Sequence, residues 1–264
     1  MKLILMLETV KVNSKSELLD ELENSLIPFD LSRFIPFNNA FVYPEPLQCN
    51  KQIIYQGDEY VDFETEVIVH LNLPEQLYLY QRIADKHGIK ARHGTLRESV
   101  AAAWSNETKE YKEKVLRYWL YNGEVIRKLG KTYNVSRAVG MEYRKVRSVD
   151  IMCEREGELL ETEGVSINEV PVIKLGPTLQ TSIPTISGFY SEFAGAIPVD
   201  KELGGRNEKS RGDFGRIYFD KNGLSAVGSL WDSGVDTFAT YAYEPMRSVR
   251  DAAMGLWTDE NPKK

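Results

Sequence analysis

Three carboxylates, Asp62, Glu64 and Glu66, recur at every second residue, and His70 and Asn72 continue the same row. On a β-strand that spacing puts them on one face, about 6.6 Å between successive members. Hard oxygen ligands arranged in this way bind Mg²⁺ or Mn²⁺, and such a metal can drive phosphodiester cleavage. A metal centre normally gathers ligands from more than one element, and the sequence offers no second set. The intervening residues Val61, Phe63, Thr65, Val67, Val69, Leu71 and Leu73 support a plainer reading. Residues 59–73 read as a half-buried strand, with Val61, Phe63, Val67, Val69 and Leu71 inward and the carboxylates in water.

The three histidines, His70, His87 and His93, show no zinc-ligand spacing with the two cysteines. His70-Leu-Asn72 and His93-Gly-Thr95 resemble the paired His-x-Ser/Thr motifs of phosphoesterases, but they lie close together and the second abuts a helix start. Nucleophile elbows, Walker phosphate loops and dinucleotide-binding glycine patterns are absent. No catalytic residue is assigned and no cofactor is implied. Cys49 and Cys153 read as free thiols of a cytoplasmic protein.

The strongest charge signal is basic. Between Lys112 and Arg147 lie ten cations: Lys112, Lys114, Arg117, Arg127, Lys128, Lys131, Arg137, Arg144, Lys145 and Arg147. Against Glu113, Glu124 and Glu142 they leave +7, and the net charge of −6 puts −13 on everything else. A basic island on an acidic body is what a phosphate-neutralising surface looks like. Residues 126–143 also resemble a helix-turn-helix. Gly130 permits close helix packing, Asn134 suits the turn, Val135 points inward and Ser136 caps a second helix. Gly140 falls inside that second helix and weakens it. The nucleic-acid-binding residues expected are Arg127, Lys128, Lys131, Arg137, Arg144 and Lys145.

The elements that would position these groups follow from pattern and punctuation. Residues 3–12 read as a strand. Ser14-Lys-Ser-Glu17 and Thr95-Leu-Arg-Glu98 are capping boxes that open helices. Pro74 starts a helix that Gly88 closes. A block of helices is expected from residue 95 to about 147. Beyond it come an acidic stretch at residues 154–163, short apolar runs and a Gly-rich charged loop at 201–216. A hairpin is expected at residues 216–230, turning on Asn222-Gly223, followed by a strand at 235–243 and a closing helix at 248–257.

The expected fold is α+β, with an α/β-like part at residues 1–92, a basic helical block with the helix-turn-helix-like segment at 93–149, and a β-rich part at 150–264. No apolar run reaches the length of a bilayer span, so no membrane partner is expected. The function expected is nucleic-acid binding. Two alternatives stand beside it. One is a metal-dependent phosphodiester-cleaving enzyme using Asp62, Glu64 and Glu66. The other is a structural or assembly protein of a virus or mobile element, acting through a protein partner or its own copies.

Overall fold

The computed structural model describes residues 7–155, 158–181, 224–232, 237–243 and 252–262. The chain opens with β1 (Glu8–Val12) and α1 (Lys15–Asn24). After a 3₁₀ turn at Leu31–Arg33 come β2 (Ile35–Phe37), β3 (Ala40–Val42), β4 (Lys51–Tyr55) and β5 (Asp58–Glu59). Three helices follow: α2 (Leu73–His87), α3 (Leu96–Trp104) and α4 (Lys109–Lys114). The remaining described elements are strands: β6 (Trp119–Leu129), β7 (Thr132–Arg155), β8 (Glu158–Thr181), β9 (Leu224–Asp232), β10 (Thr237–Tyr243), β11 (Ala252–Ala253) and β12 (Trp257–Thr258). The chain is therefore a mixed α and β protein, and no described helix is long and apolar enough to cross a membrane.

The helix starts are where the capping residues put them. Ser14 Oγ accepts from the Glu17 amide at 3.1 Å and opens α1, which buries Leu18, Leu19 and Leu22. Asn72 and Glu75 exchange bonds of 3.0 and 2.9 Å at the start of α2, with Pro74 in its first turn. Thr95 and Glu98 do the same for α3. Each reciprocal pair satisfies amides that no helical carbonyl can reach.

Three sequence expectations fail here. Residues 124–147 hold no helix, and so no helix-turn-helix: they lie within β6 and β7, which pair antiparallel from Leu129↔Thr132 to Glu124↔Arg137. Gly130 and Lys131 form a two-residue loop, with Gly130 at φ 63° in its first central position. That conformation favours glycine and matches the twist of a tight hairpin. Val125, Ile126, Thr132, Val135 and Val139 are β-branched, and Gly123, Gly130 and Gly140 would each weaken a helix by about 1 kcal/mol. The expected closing helix fails likewise, because the described residues 252–258 run extended through β11 and β12.

The third failure is the strand at 59–73. Beyond β5 the chain makes a tight loop, bridged only at Val61↔Ile68 and Gln48↔Val67. Asp62 Oδ1 accepts from the Glu64 and Thr65 amides at 3.1 and 2.8 Å and from Thr65 Oγ1 at 2.7 Å, which folds the turn. Glu66 and His70 take φ of 61° and 68°, incompatible with a continuous strand. Val61, Val67 and Leu71 are buried as expected, but Phe63 is exposed at the loop tip and Val69 is half-buried.

The strands form three sheets. β4 lies between β1, to which it is parallel, and β5; β3 lies between β2 and β12; the large sheet runs β10-β9-β6-β7-β8. β11 pairs with Trp119 and Leu120 of β6, on the edge that β7 leaves vacant there. Both faces of the large sheet are covered. Leu73 and Leu77 of α2 pack against Val125, Ala138, Met141, Ile173, Leu224 and Ala226. Leu96, Val100 and Ala103 of α3 join Ile126, Val135 and Val227 on the other face. A third group of apolar side chains joins α1 and α2 to Cys49 and Ile53. The Cys49 thiol is pushed up to about 12 by burial, so it stays protonated.

β7 and β8 form a ribbon that turns back on itself. Ile173 and Lys174 pair with Met141 and Gly140 on one side and with Cys153 and Glu154 on the other. The register slips between Arg147↔Ile167 and Val149↔Glu163, so Ser148 faces Gly164, Val165 and Ser166. Such a bulge bends a ribbon and sharpens its twist. The expected turn at Asn222-Gly223 and the loop at 201–216 lie outside the described residues, whereas β9 and β10 occupy the expected strand positions.

Candidate functional site

The large sheet carries an irregularity in its middle strand. Between Tyr121↔Gly228 and Val125↔Ala226, β6 inserts Asn122, Gly123 and Glu124 against a single residue of β9. Gly123 takes φ 60°, and a Cβ there would sit 2.8 Å from the His93 Cβ, so only glycine fits. The bulge turns Glu124 toward α3, where its carboxylate accepts from the Leu96 amide at 2.8 Å. A buried anion at a helix N-terminus is favoured by the free amides and the helix dipole. Asn122, also buried, donates to Ser99 Oγ at 2.8 Å.

Beside this bulge lies a cleft of about 380 Å³. Leu77, Tyr80, Gln81 and Ala84 of α2 form one wall, residues 90–93 a second, and Arg137–Gly140 of β7 a third; Gly123 and Asp259 complete it. The volume falls in the range of small-molecule sites, and the apolar lining with a few polar groups is their usual composition.

Arg92 organises one side. Its guanidinium reaches Glu98 through two bonds of 2.8 and 2.7 Å and Asp259 Oδ1 through two of 3.0 and 2.5 Å, and it lies over the Trp257 ring. Burial works against its charge, but the two carboxylates outweigh burial and raise its pKa. Burial pushes Glu98 and Asp259 upward, yet Arg92 holds both below the ordinary carboxylate range. At the rim Lys90 is held by Glu260 at 2.5 Å.

His93 is 5% exposed, and its pKa is lowered to about 3. Burial is the main cause; a bond to the Tyr121 carbonyl opposes it, and the charges of Arg92 and Arg137 reinforce it. Since Nε2 has no hydrogen-bond partner, the bond to Tyr121 is made by Nδ1–H. The ring meets Tyr80 edge-on at 4.6 Å. At neutral pH this imidazole is uncharged, with an unused acceptor and no tendency to take up a proton.

Arg137 is the remaining cation of the cleft. It is half-buried, and its charge is felt at both His93 and Asp259. Among the described residues no side chain makes an ion pair or hydrogen bond with its guanidinium.

The six cations expected to act together are dispersed. Arg127, Lys128 and Lys131 sit at the β6–β7 turn, Arg137 is in the cleft, and Arg144 and Lys145 lie farther along β7 opposite Val170 and Glu169. Strand pairing also dilutes the basic island. β7 carries five cations and three anions, but β8 brings Glu158, Glu161, Glu163 and Glu169 against Lys174 alone. Lys174 is itself bonded to Glu142 at 2.7 Å. The row Asp62, Glu64 and Glu66 forms no ligand set, and no group of three or more His, Cys, Asp or Glu capable of holding a metal occurs among the described residues. Sequence reasoning passed over Arg92, Gln81 and Asp259, which are ordinary surface residue types with no motif around them. His93 was noticed only as half of a phosphoesterase-like pair. Comparison of the chain with protein-family models, with curated proteins and with solved structures finds no match.

Proposed function

We propose that this chain is a small-molecule-binding protein whose cleft takes the anionic group of its ligand on Arg137. The observation that carries this reading is a guanidinium that no side chain among the described residues engages, on the wall of a cleft of about 380 Å³. A guanidinium presents a planar fork of donors that matches carboxylate and phosphate oxygens bidentately. Binding fits the cleft better than proton-transfer chemistry, because His93 titrates near 3 and is a poor base at neutral pH. Small carboxylates and phosphate esters should raise the melting temperature, and calorimetry should give a 1:1 stoichiometry. Arg137→Ala should weaken binding by about 10- to 100-fold, the range for a hydrogen-bonded charge, and Arg137→Lys should recover only part of it. Unchanged affinity in Arg137→Ala would exclude this site.

Nucleic-acid binding is a second reading, favoured by the β6–β7 turn. Lys128 and Lys131 are exposed there, Arg127 is half-exposed, and none of the three has an ion-pair partner among the described residues. Three cations neutralising three phosphates would give log K against log salt a slope of about −3 on duplex DNA. Fluorescence anisotropy at low salt should then show weak binding that the double substitution Lys128→Ala, Lys131→Ala removes. Binding that survives the double substitution would place the contact elsewhere.

A further inference from the structure

The cleft offers a ligand more acceptors than donors, one of them buried. Arg92 Nε and Nη2 both bond Asp259 Oδ1, and no described residue bonds Oδ2, on a side chain that is 57% exposed. His93 Nε2 is a second acceptor without a partner. Gln81 Nε2 is committed to the Met141 carbonyl at 2.9 Å, which leaves its carbonyl oxygen as a third. On the donor side stands Arg137, while Lys90 and Arg92 are engaged by Glu260, Glu98 and Asp259. A ligand that is only an anion would satisfy Arg137 and bring no donor to these acceptors. Its negative charge would also lie near the Asp259 carboxylate, which a ligand ammonium would offset.

We infer that the ligand of this cleft is a zwitterion, an amino acid or similar amino-bearing carboxylate, with its acid on Arg137, its ammonium toward Asp259 and its side chain on the apolar wall. This rests on the reading of the cleft as an anion site and adds the second charged group. Leu77, Ala84, Ala138 and Val139 line the cleft where an apolar side chain would lie. Val139 is 59% exposed, an uncovered apolar surface that a ligand side chain would partly bury. The size suits one amino acid with a large side chain.

The test uses matched pairs on the full chain: leucine against 4-methylpentanoate, and phenylalanine against 3-phenylpropanoate, by calorimetry and by ligand-observed NMR. Each amino acid should bind at least 10-fold more tightly than its deaminated partner. Asp259→Asn should erase that preference while leaving the carboxylate affinity within about threefold; circular dichroism checks that the variant is folded. Arg137→Ala should weaken both members of each pair. Equal binding of the two members to the unmodified protein overturns the zwitterion inference and leaves the anion site standing. No binding by either member, nor by phosphate esters, overturns both.

Discussion

Acidification should destabilise this protein well before its carboxylates titrate, and His93 should be the cause. In the folded chain His93 gains a proton only near pH 3, whereas in the unfolded chain it does so near 6.5. Above about pH 6.5 both states are neutral and the burial costs nothing. Below it the unfolded chain binds a proton that the folded chain refuses, so stability falls as pH falls through this window. The loss is about 1.4 kcal/mol per pH unit, and roughly 3 kcal/mol has gone by pH 4. Against a total of about 5–15 kcal/mol that is a large share. The paired carboxylates Glu98 and Asp259, whose pKa values are lowered, add losses of the same sign at lower pH. The interval from pH 6.5 to 5 therefore isolates the histidines. His87 is also lowered, by burial and by Lys86, so it serves as the control. Urea midpoints measured across this interval should fall steeply in the unmodified protein and in His87→Gln. They should fall much less in His93→Gln, which keeps only the smaller contribution of His87. A His93→Gln variant that keeps the full slope would show that the imidazole is not held neutral.

The second large effect is expected at Trp257. This side chain is fully buried, and its Nε1 donates to the Tyr111 hydroxyl at 2.9 Å. Its ring meets Tyr111 at 5.6 Å and Phe37 at 6.3 Å, both edge-on. Its backbone N and O pair with Arg92 at 3.0 and 2.9 Å. Trp257→Ala should cost about 4 kcal/mol or more, from the cavity and from the donor lost to a buried hydroxyl. Trp257→Phe keeps most of the apolar surface and forfeits the hydrogen bond, so its cost should be about 1–2 kcal/mol. Chemical denaturation measures both. A cost below about 1 kcal/mol for Trp257→Ala would mean that the neighbouring chain collapses into the space and that the residue is not a keystone.

What was legible in the sequence was local. Ser14/Glu17, Thr95/Glu98, Pro74 and Gly88 mark the helix ends because capping chemistry depends on residues three or four apart. The strands of the large sheet were hidden because both of its faces are covered. β6 is buried almost continuously from Leu120 to Ile126 and so lacks the alternation of a one-sided strand. The regular alternation at residues 59–73, broken on its polar face by Ile68, misled for the opposite reason. It reflects a run of acidic and apolar residues that Asp62 folds into a turn. The cleft could not be read at all: Arg92, Arg137 and Asp259 are far apart in sequence, and only the pairing of Arg92 with Trp257 and the register of β7 bring them together.

The extended segment at residues 252–258 imposes an order on folding. Met254 and Leu256 complete the core built on α1 and α2, Ala253 and Trp257 complete the core over α3, and Ala252 reaches the face under α2. The carbonyls of Met254 and Leu256 accept from Leu47 and Tyr43, and that of Gly255 accepts from the Tyr80 hydroxyl. A nascent chain that has not yet released these residues has all three cores open at once, with their apolar walls facing the ribosome surface and the chaperones around it. The earlier elements can form as they emerge, but none can be sealed. Productive folding is thus held back until residues 252–258 arrive, and any pause in synthesis before them prolongs exposure to aggregation.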